Sequence, residues 1–332
     1  MNKSKIRWGI LGCGRIARKF AADLRLVADA ELTAIASRNK ETLKLFAKDF
    51  PCKHLHNNYE SLAANNEVDV IYVATPHSHH YEHTMLCLNH TKAVLCEKAF
   101  AINSRQAIEM IKTANERKIF LMEALWTKFL PHYKKLQELL QQKTLGEIKS
   151  ILVNFGFKTS DKSPQRLFDP LLGGGTLLDI GIYNVFITLS ILGKPDDIEA
   201  TMTPASTGID EQIAVLFRYN SGAMAQLFSS FVTNLPTQAE INGTEGCITL
   251  TTRFYEPSTT IQLSKKIPYE REIIPFDKEP GFGYQYEARH VNECLKKGLI
   301  ESPVLTHADT LLLMEILDRI RNKARIEYPA DQ

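Results

Sequence analysis

The sequence predicts an α/β protein with two parts: a doubly wound parallel sheet first, then an α+β domain built on an open, mostly antiparallel sheet. Three observations carry this. The first 125 residues alternate short apolar runs with amphipathic stretches. A glycine-rich turn, Gly12-Cys13-Gly14, joins the first run to the first stretch. Beyond about residue 145, extended segments of mixed polarity follow one another across polar turns.

The apolar runs are IRWGIL (6–11), ELTAIAS (31–37), VDVIYVA (68–74), AVLCE (93–97) and FLMEAL (120–125). Near-continuous apolar runs of this length suit parallel strands buried on both faces. RIARKFAADLRLV (15–27) and NSRQAIEMIKTANERK (103–118) read as helices packed on them, the second opened by Asn103 as N-cap. The later extended segments are KSILVNFGF (149–157), DIEATM (197–202), QIAVLFRY (212–219), AMAQLFSSF (223–231), CITLTT (247–252) and TTIQLSKK (259–266). Several alternate polar and apolar residues, as an antiparallel sheet with one wetter face would. A helix over 173–192 interrupts them, and helices near 284–297 and 306–324 follow. The expected division is residues 1–125 for the first domain and 126–332 for the second. The loops 158–172 and 232–238 are not placed by pattern.

A chain of 332 residues suits two such domains, and 44% apolar residues supply their cores. The formal charge of +2 gives no reason to expect a nucleic-acid or membrane partner. No run approaches 18 consecutive apolar residues, and MNKSKIRWGILG leads into a strand rather than a leader peptide. The expected location is the cytoplasm, with all six scattered cysteines as reduced thiols.

IRWGIL runs into Gly12-Cys13-Gly14-Arg15-Ile16-Ala17 and then a helix, a GxGxxA turn in strand–turn–helix context. Gly12 permits the tight turn, Gly14 lets a pyrophosphate approach the backbone, and Ala17 lets the helix pack on the strand. The helix N-terminus supplies free N–H groups to the anion. This is a Rossmann domain's fingerprint, and it marks Gly12, Cys13, Gly14, Arg15 and Ile16 as cofactor-binding. The second strand ends in Ala36-Ser37-Arg38, where an NAD-preferring site has an acidic residue. A hydroxyl and a guanidinium suit a 2′-phosphate, so Ser37 and Arg38 point to NADP rather than NAD.

TPHSHHYEH (75–83) packs four histidines into nine residues, and His79 and His83 have helical i,i+4 spacing. With no HExxH and no cysteine partner, no metal is expected. The segment follows a strand at the edge where a dinucleotide lies, so Thr75, Pro76 and His80 are expected beside the cofactor.

Glu97 and Lys98 end the strand AVLCE at that same edge. An ammonium there can bond a substrate hydroxyl and stabilise an alkoxide as hydride leaves carbon, with Glu97 orienting the lysine or holding ribose. The reaction also needs a proton acceptor. Asp179 and Tyr183 stand at i,i+4 on the 173–192 helix, one face of an α-helix. An adjacent ammonium would favour the phenolate of Tyr183. Spacing alone leaves Tyr183 equally an ordinary helix residue.

GxGxxA, the lysine ending a parallel strand, DxGxY (179–183) and INGTEGCITL (241–250) together resemble the glucose–fructose oxidoreductase, inositol dehydrogenase and MocA family over essentially the whole chain. MEALWTKFLPHYKKL, LLGGGTLLDIGIYNV and YQYEARHVNECLKKGLIESPVL resemble its branch of dimeric dihydrodiol dehydrogenases and NADP-dependent D-xylose dehydrogenases. The resemblance implies a homodimer formed through the second sheet. It also implies NADP-dependent oxidation of a sugar or cyclic diol at a secondary or anomeric hydroxyl. By motif, Lys98 matches the lysine of the family's Glu-Lys-Pro, Tyr183 its proton-transferring tyrosine and Asp179 the motif aspartate. Trp126 and Phe157 would line the substrate pocket. Ala99 departs from the motif proline, which would have restricted Lys98. Two other readings share the fold. One is a non-catalytic NADP-binding sensor, for which Ala99 argues. The other is a lyase or hydrolase with tightly held NAD, against which Ser37-Arg38 argue.

Overall fold

A computed structural model describes residues 5–160, 165–265 and 270–332. Residues 161–164 of the 158–172 loop, and Lys266 at the end of TTIQLSKK, lie outside the described residues. The chain divides into two compact units, Met1–Lys128 with Glu279–Leu311 and Phe129–Lys278 with Leu312–Gln332.

In the first unit, β1 (Ile6–Leu11), α1 (Arg15–Leu24), β2 (Ala30–Ala36), α2 (Lys40–Asp49), β3 (His54–His56), α3 (Tyr59–Ala63), β4 (Val70–Val73), α4 (His80–Asn89), β5 (Ala93–Glu97), α5 (Ser104–Arg117) and β6 (Leu121–Ala124) alternate along the chain. The strands pair in parallel in the order β3-β2-β1-β4-β5-β6. The order reverses between β1 and β4, the switch point where open α/β sheets leave a crevice. Every residue of β4 and β5 is buried, which is why these strands read as continuous apolar runs. Asn103 caps α5 by accepting the Gln106 N–H at 3.0 Å, as its sequence position predicts.

The second unit begins with α6 (Pro131–Gln141) and β7 (Ile148–Gly156), followed by α7 (Ile182–Leu192). Strands β8 (Asp197–Pro204), β9 (Asp210–Arg218), β10 (Met224–Ser230), β11 (Ala239–Gly243), β12 (Gly246–Leu250), β13 (Ile261–Ser264) and β14 (Glu272–Ile274) follow. Its sheet runs β14-β13-β12-β11-β7-β10-β9-β8, antiparallel except where β7 meets β10. One face of this sheet is core, with Ile151, Val153, Val215 and Leu227 all buried. The other face presents Leu152 and Met224, both large and exposed, and a hollow lined by Leu152, Leu216 and Phe228.

Helix α8 (Tyr284–Lys296) and the start of α9 (His307–Ala324) correct the expected division at residue 125, because Glu279–Leu311 belongs to the first unit. The physical ties are specific. Trp8 Nε1 donates to Asn292 Oδ1 at 3.0 Å, and the Leu121 N–H donates to the Ile300 carbonyl at 3.1 Å. Buried Asp23 on α1 accepts the backbone N–H groups of Phe282, Gly283 and Tyr284 at 2.8–2.9 Å. It therefore caps α8 from another helix.

Among the described residues, one helical stretch, Pro170–Leu192, has the length and mean hydropathy (1.6) of a membrane span. It is 72% buried within the fold, so its apolar character serves the core. This stretch is also not the single helix that the sequence predicts. It opens as a 3₁₀ turn (Pro170–Leu172), passes Gly173–Gly175, makes a π-helical turn (Leu177–Gly181), and only then becomes α7.

Candidate functional site

In the first unit the chain leaves β1 through Gly12, whose φ of +98° is open to glycine and strained for other residues. A Cβ there would stand 2.9 Å from the Ala74 carbonyl oxygen, so the turn needs glycine for space as well. Gly14 is the N-cap of α1, with nothing within 4 Å of where its Cβ would be and no side chain capping the helix. The first turn of α1 carries no acidic residue. An open, uncapped helix N-terminus bordered by Arg15 and Ile16 is suited to an anion. Cys13 is buried, and burial pushes its thiol up to about 12, so it is a packing residue of the turn.

Ser37, at the end of β2, is buried and accepts the Asn39 N–H at 3.2 Å. Arg38 is exposed, with its guanidinium over the Tyr59 ring 5.6 Å from the centroid. The ring limits where this cation can point.

Past β4, Thr75 and Pro76 are half-buried, and Thr75 Oγ1 pairs with His83 Nδ1 at 3.0 Å. Burial lowers the pKa of His83 to about 3 and that of His80 to about 4. The expectation that His80 lies beside the cofactor needs correcting. Its ring is fully buried, with Nε2 at 2.8 Å from the Thr75 carbonyl and Nδ1 at 2.7 Å from that of Ala99. Neutral, it has one N–H to donate to one of the two carbonyls, and it has no surface left for a ligand. Among the described residues, no group of three His, Cys, Asp or Glu side chains gathers to hold a metal.

Glu97 ends β5 with only 6% of its surface exposed. The Tyr72 hydroxyl donates to its Oε1, and the Lys98 N–H donates to its Oε2 at 3.2 Å. Burial, then the charge of Glu97, raises the Tyr72 pKa well above the usual phenol range, so Tyr72 remains a donor. The Lys98 side chain is half-buried at the sheet's C-terminal edge. Ala99 is fully buried, and the Lys98–Ala99 peptide bond is cis. Trp126 follows β6 and is 5% exposed, stacked on Tyr284 with centroids 4.4 Å apart and planes 3° from parallel.

In the second unit Asp179 lies on the π-turn and Tyr183 in the first turn of α7. The one-face expectation assumed α-helical spacing, and a π-turn breaks that periodicity between the two residues. Arg166 approaches Asp179 Oδ1 with two nitrogens, at 3.4 and 3.5 Å. The Tyr183 ring is buried beside Tyr255, 4.8 Å between centroids, and Phe155, 6.0 Å. Phe157 is half-buried against Phe231 at 5.3 Å.

Asp210 and Tyr328 hold the π-turn and the glycines that lead into it. Asp210 is fully buried and accepts Thr176 Oγ1 at 2.6 Å and the Leu177 N–H at 2.7 Å. Tyr328 donates to the Gly174 carbonyl at 2.6 Å, and Arg321, paired with Asp318 and Asp331, lies under the Tyr328 ring.

Sequence reasoning missed Tyr72, Asp210, Arg166 and Tyr255. Tyr72 carried a signal, since it is the one hydroxyl in the buried run VDVIYVA and a buried hydroxyl needs a partner. The others are brought in by tertiary packing and carried none.

Residues 6–125 match the model of an oxidoreductase family with an NAD-binding Rossmann fold, and residues 133–249 match the GFO/IDH/MocA C-terminal domain. The chain is 37% identical to the trans-1,2-dihydrobenzene-1,2-diol dehydrogenase of Xenopus laevis, covering 97% of this chain and 99% of that protein. It is 35% identical to the human protein of the same name, covering 98% and 99%. Among solved structures, a 3-ketoreductase from Actinomadura kijaniata in complex with NADP and TDP-benzene superposes with a TM-score of 0.86 at 26% identity, covering 98% of this chain and 99% of that one.

Proposed function

The chain belongs to the GFO/IDH/MocA family of oxidoreductases, and from that premise we propose that it transfers a hydride between NADP and a secondary or anomeric hydroxyl of a sugar or cyclic diol. One observation carries the reading: a lysine at the C-terminal edge of β5, its neighbouring carboxylate fixed by a buried tyrosine, in a sheet whose first turn is an open glycine cradle. A protein that only binds a dinucleotide needs the cradle and has no use for the lysine.

The N–H groups of Gly14, Arg15 and Ile16, at an open helix end, would hold the phosphates of a dinucleotide. Ser37 and Arg38 would hold the 2′-phosphate, the guanidinium as a fork of donors. NADP, when bound, takes or gives the hydride. Lys98 donates to the substrate oxygen and offsets the negative charge that grows there as hydride departs. Tyr183 exchanges the hydroxyl proton, and Asp179 orients the groups around it, with Arg166 holding Asp179. Trp126 and Phe157 supply apolar walls to the substrate pocket. The relatives' names support the diol class, and the NADP-bound ketoreductase supports the choice of cofactor.

Ala99 at the motif's proline position is the one feature that speaks for a sensor without chemistry. Its full burial supplies part of the restriction a proline would give, and so favours the enzyme. We further propose a cytoplasmic homodimer paired through the exposed face of the second sheet, where Leu152 and Met224 need cover. A monomer in light scattering would remove that part.

The test of the reading is a nicotinamide absorbance assay. The purified protein is mixed with NADP or NAD and with D-xylose, D-glucose, inositol or a trans-cyclohexanediol. Reduction of NADP with one substrate class is the expected result. Tight NADPH binding with no turnover on any member would turn the reading toward the sensor.

A further inference from the structure

Tyr183, the proposed proton-exchanging group, follows a stretch of backbone that does not hold itself. The π-turn Leu177–Gly181 closes with the Ile182 N–H on the Leu177 carbonyl, five residues back. Such turns are rare and persist where their surroundings over-determine them. Thr176 stands at the N-cap position and gives the turn no side-chain cap. The first donor of the helix therefore needs a partner from elsewhere in the second unit.

That partner is Asp210, at the start of β9 and fully buried. Its Oδ2 accepts the Leu177 N–H at 2.7 Å and Thr176 Oγ1 at 2.6 Å, so one oxygen ties the first residue of the turn and the residue before it. Gly175 permits the approach: its φ is +104°, and a Cβ there would collide with Asp210 Oδ1. Burial pushes Asp210 up to about 6, against the pull of its bonds to Thr176 and Leu177, and at neutral pH it is mostly ionised. A negative charge suits a helix N-terminus, though burying one is costly. On the far side, Asn184 adjoins Tyr183 and donates its amide to the Phe228 carbonyl and to Ser229 Oγ on β10, both at 3.1 Å. Strands β9 and β10 are paired neighbours. Asp179 and Tyr183 thus lie in sequence between two anchors set on adjacent strands.

We propose that Asp210 is a positioning residue for the reaction: by tying Thr176 and Leu177 to β9, it fixes the π-turn in the geometry that aims the Tyr183 hydroxyl at the substrate. The proposal rests on the acid–base role given above to Tyr183. It gives a reason for the chain to keep a buried carboxylate at a strand end, remote in sequence from the turn it holds.

The experiment is a double-mutant cycle on the full-length holoenzyme: kcat is measured for Asp210→Ala, for Tyr183→Phe and for the pair, with Asp210→Asn and Thr176→Val beside them. Asp210→Ala should lower kcat at least tenfold while the NADPH Kd stays within threefold, as for a group aimed wrongly with the cofactor still held. Asp210→Asn keeps an oxygen acceptor and should hold kcat within about threefold of the wild type. In Tyr183→Phe no hydroxyl is left to aim, so adding Asp210→Ala should change kcat by less than threefold. Wild-type kcat in Asp210→Ala overturns the inference. So does an equal fold loss with and without the Tyr183 hydroxyl, the mark of a merely structural role, and so does an Asn variant as impaired as the Ala variant. If Asp210→Ala does not fold, Thr176→Val decides, since it removes one of the two bonds and keeps the carboxylate. It should lose at least threefold in kcat when Tyr183 is present and show no further loss in Tyr183→Phe; wild-type kcat in Thr176→Val overturns the inference. Failure of the underlying reading shows separately, as wild-type turnover by Tyr183→Phe alone.

Discussion

Glu123→Gln should remove from the first unit one contribution to its pH-dependent stability, that of a buried acid which ionises near pH 7. Glu123 lies on β6 in register with Cys96, with 1% of its surface exposed. Thr310 Oγ1 donates to its Oε2 at 3.1 Å, and Oε1 has no partner among the described residues. Burial raises its pKa from 4.5 to about 7, reinforced by Glu97 and opposed by Thr310, the Phe100 backbone and Lys98. The folded protein thus holds this proton more tightly than the unfolded chain. The stabilising contribution is fully present below about pH 4.5 and is lost as pH rises through about 7. At roughly 1.4 kcal/mol per tenfold change in affinity, the loss is about 3 kcal/mol.

The chain's two tryptophans, Trp8 and Trp126, both belong to the first unit, so indole fluorescence during urea unfolding follows that unit. With a slope of about 2 kcal/mol per molar urea for a unit of this size, the wild-type midpoint should fall by about 1.5 M relative to the variant across that range. The glutamine leaves a buried amide to satisfy, so its midpoint can be lower at every pH. The comparison is between slopes. Parallel curves for the two proteins would refute the argument that Glu123 is neutral below pH 7.

Arg38→Leu should weaken NADPH binding by about 10- to 150-fold, the value of one charge-assisted hydrogen bond at roughly 1.5–3 kcal/mol. NADH binding should change less than threefold, and fluorescence titration with both reduced cofactors checks this; an equal loss for both would move the 2′-phosphate elsewhere. Tyr183→Phe should cut kcat by about 10², the scale for losing a general acid–base group. A loss below threefold in steady-state kinetics would assign the proton to another residue.

The sequence made the parallel sheet legible because burial on both faces leaves β1, β2, β4, β5 and β6 as apolar runs with little ambiguity. It did not reveal β3, three residues (HLH) paired on one side only, too short for a pattern to register. The glycine cradle and the Glu97-Lys98 edge were readable because each is local: a turn chemistry and a strand end. The π-turn under Asp179 was not, since it depends on Asp210 and Tyr328, which are distant in sequence. Placing α8 in the first unit likewise depends on Asp23 and Asn292 meeting partners more than 250 residues away along the chain. Glu287 shows the same limit at a single position. In YQYEARHV it reads as an ordinary polar helix residue, and only the fold shows that its carboxyl is enclosed.

The most direct test of the central claim is the turnover of Lys98→Met with NADP and the substrate found in the absorbance assay. The side chain is half-buried, and methionine keeps most of its volume, so the fold should survive. The account predicts that kcat falls by two orders of magnitude or more while NADPH binds within a few fold of the wild type. Turnover at the wild-type rate would contradict it, leaving the carboxylate-lysine edge of β5 without a catalytic role.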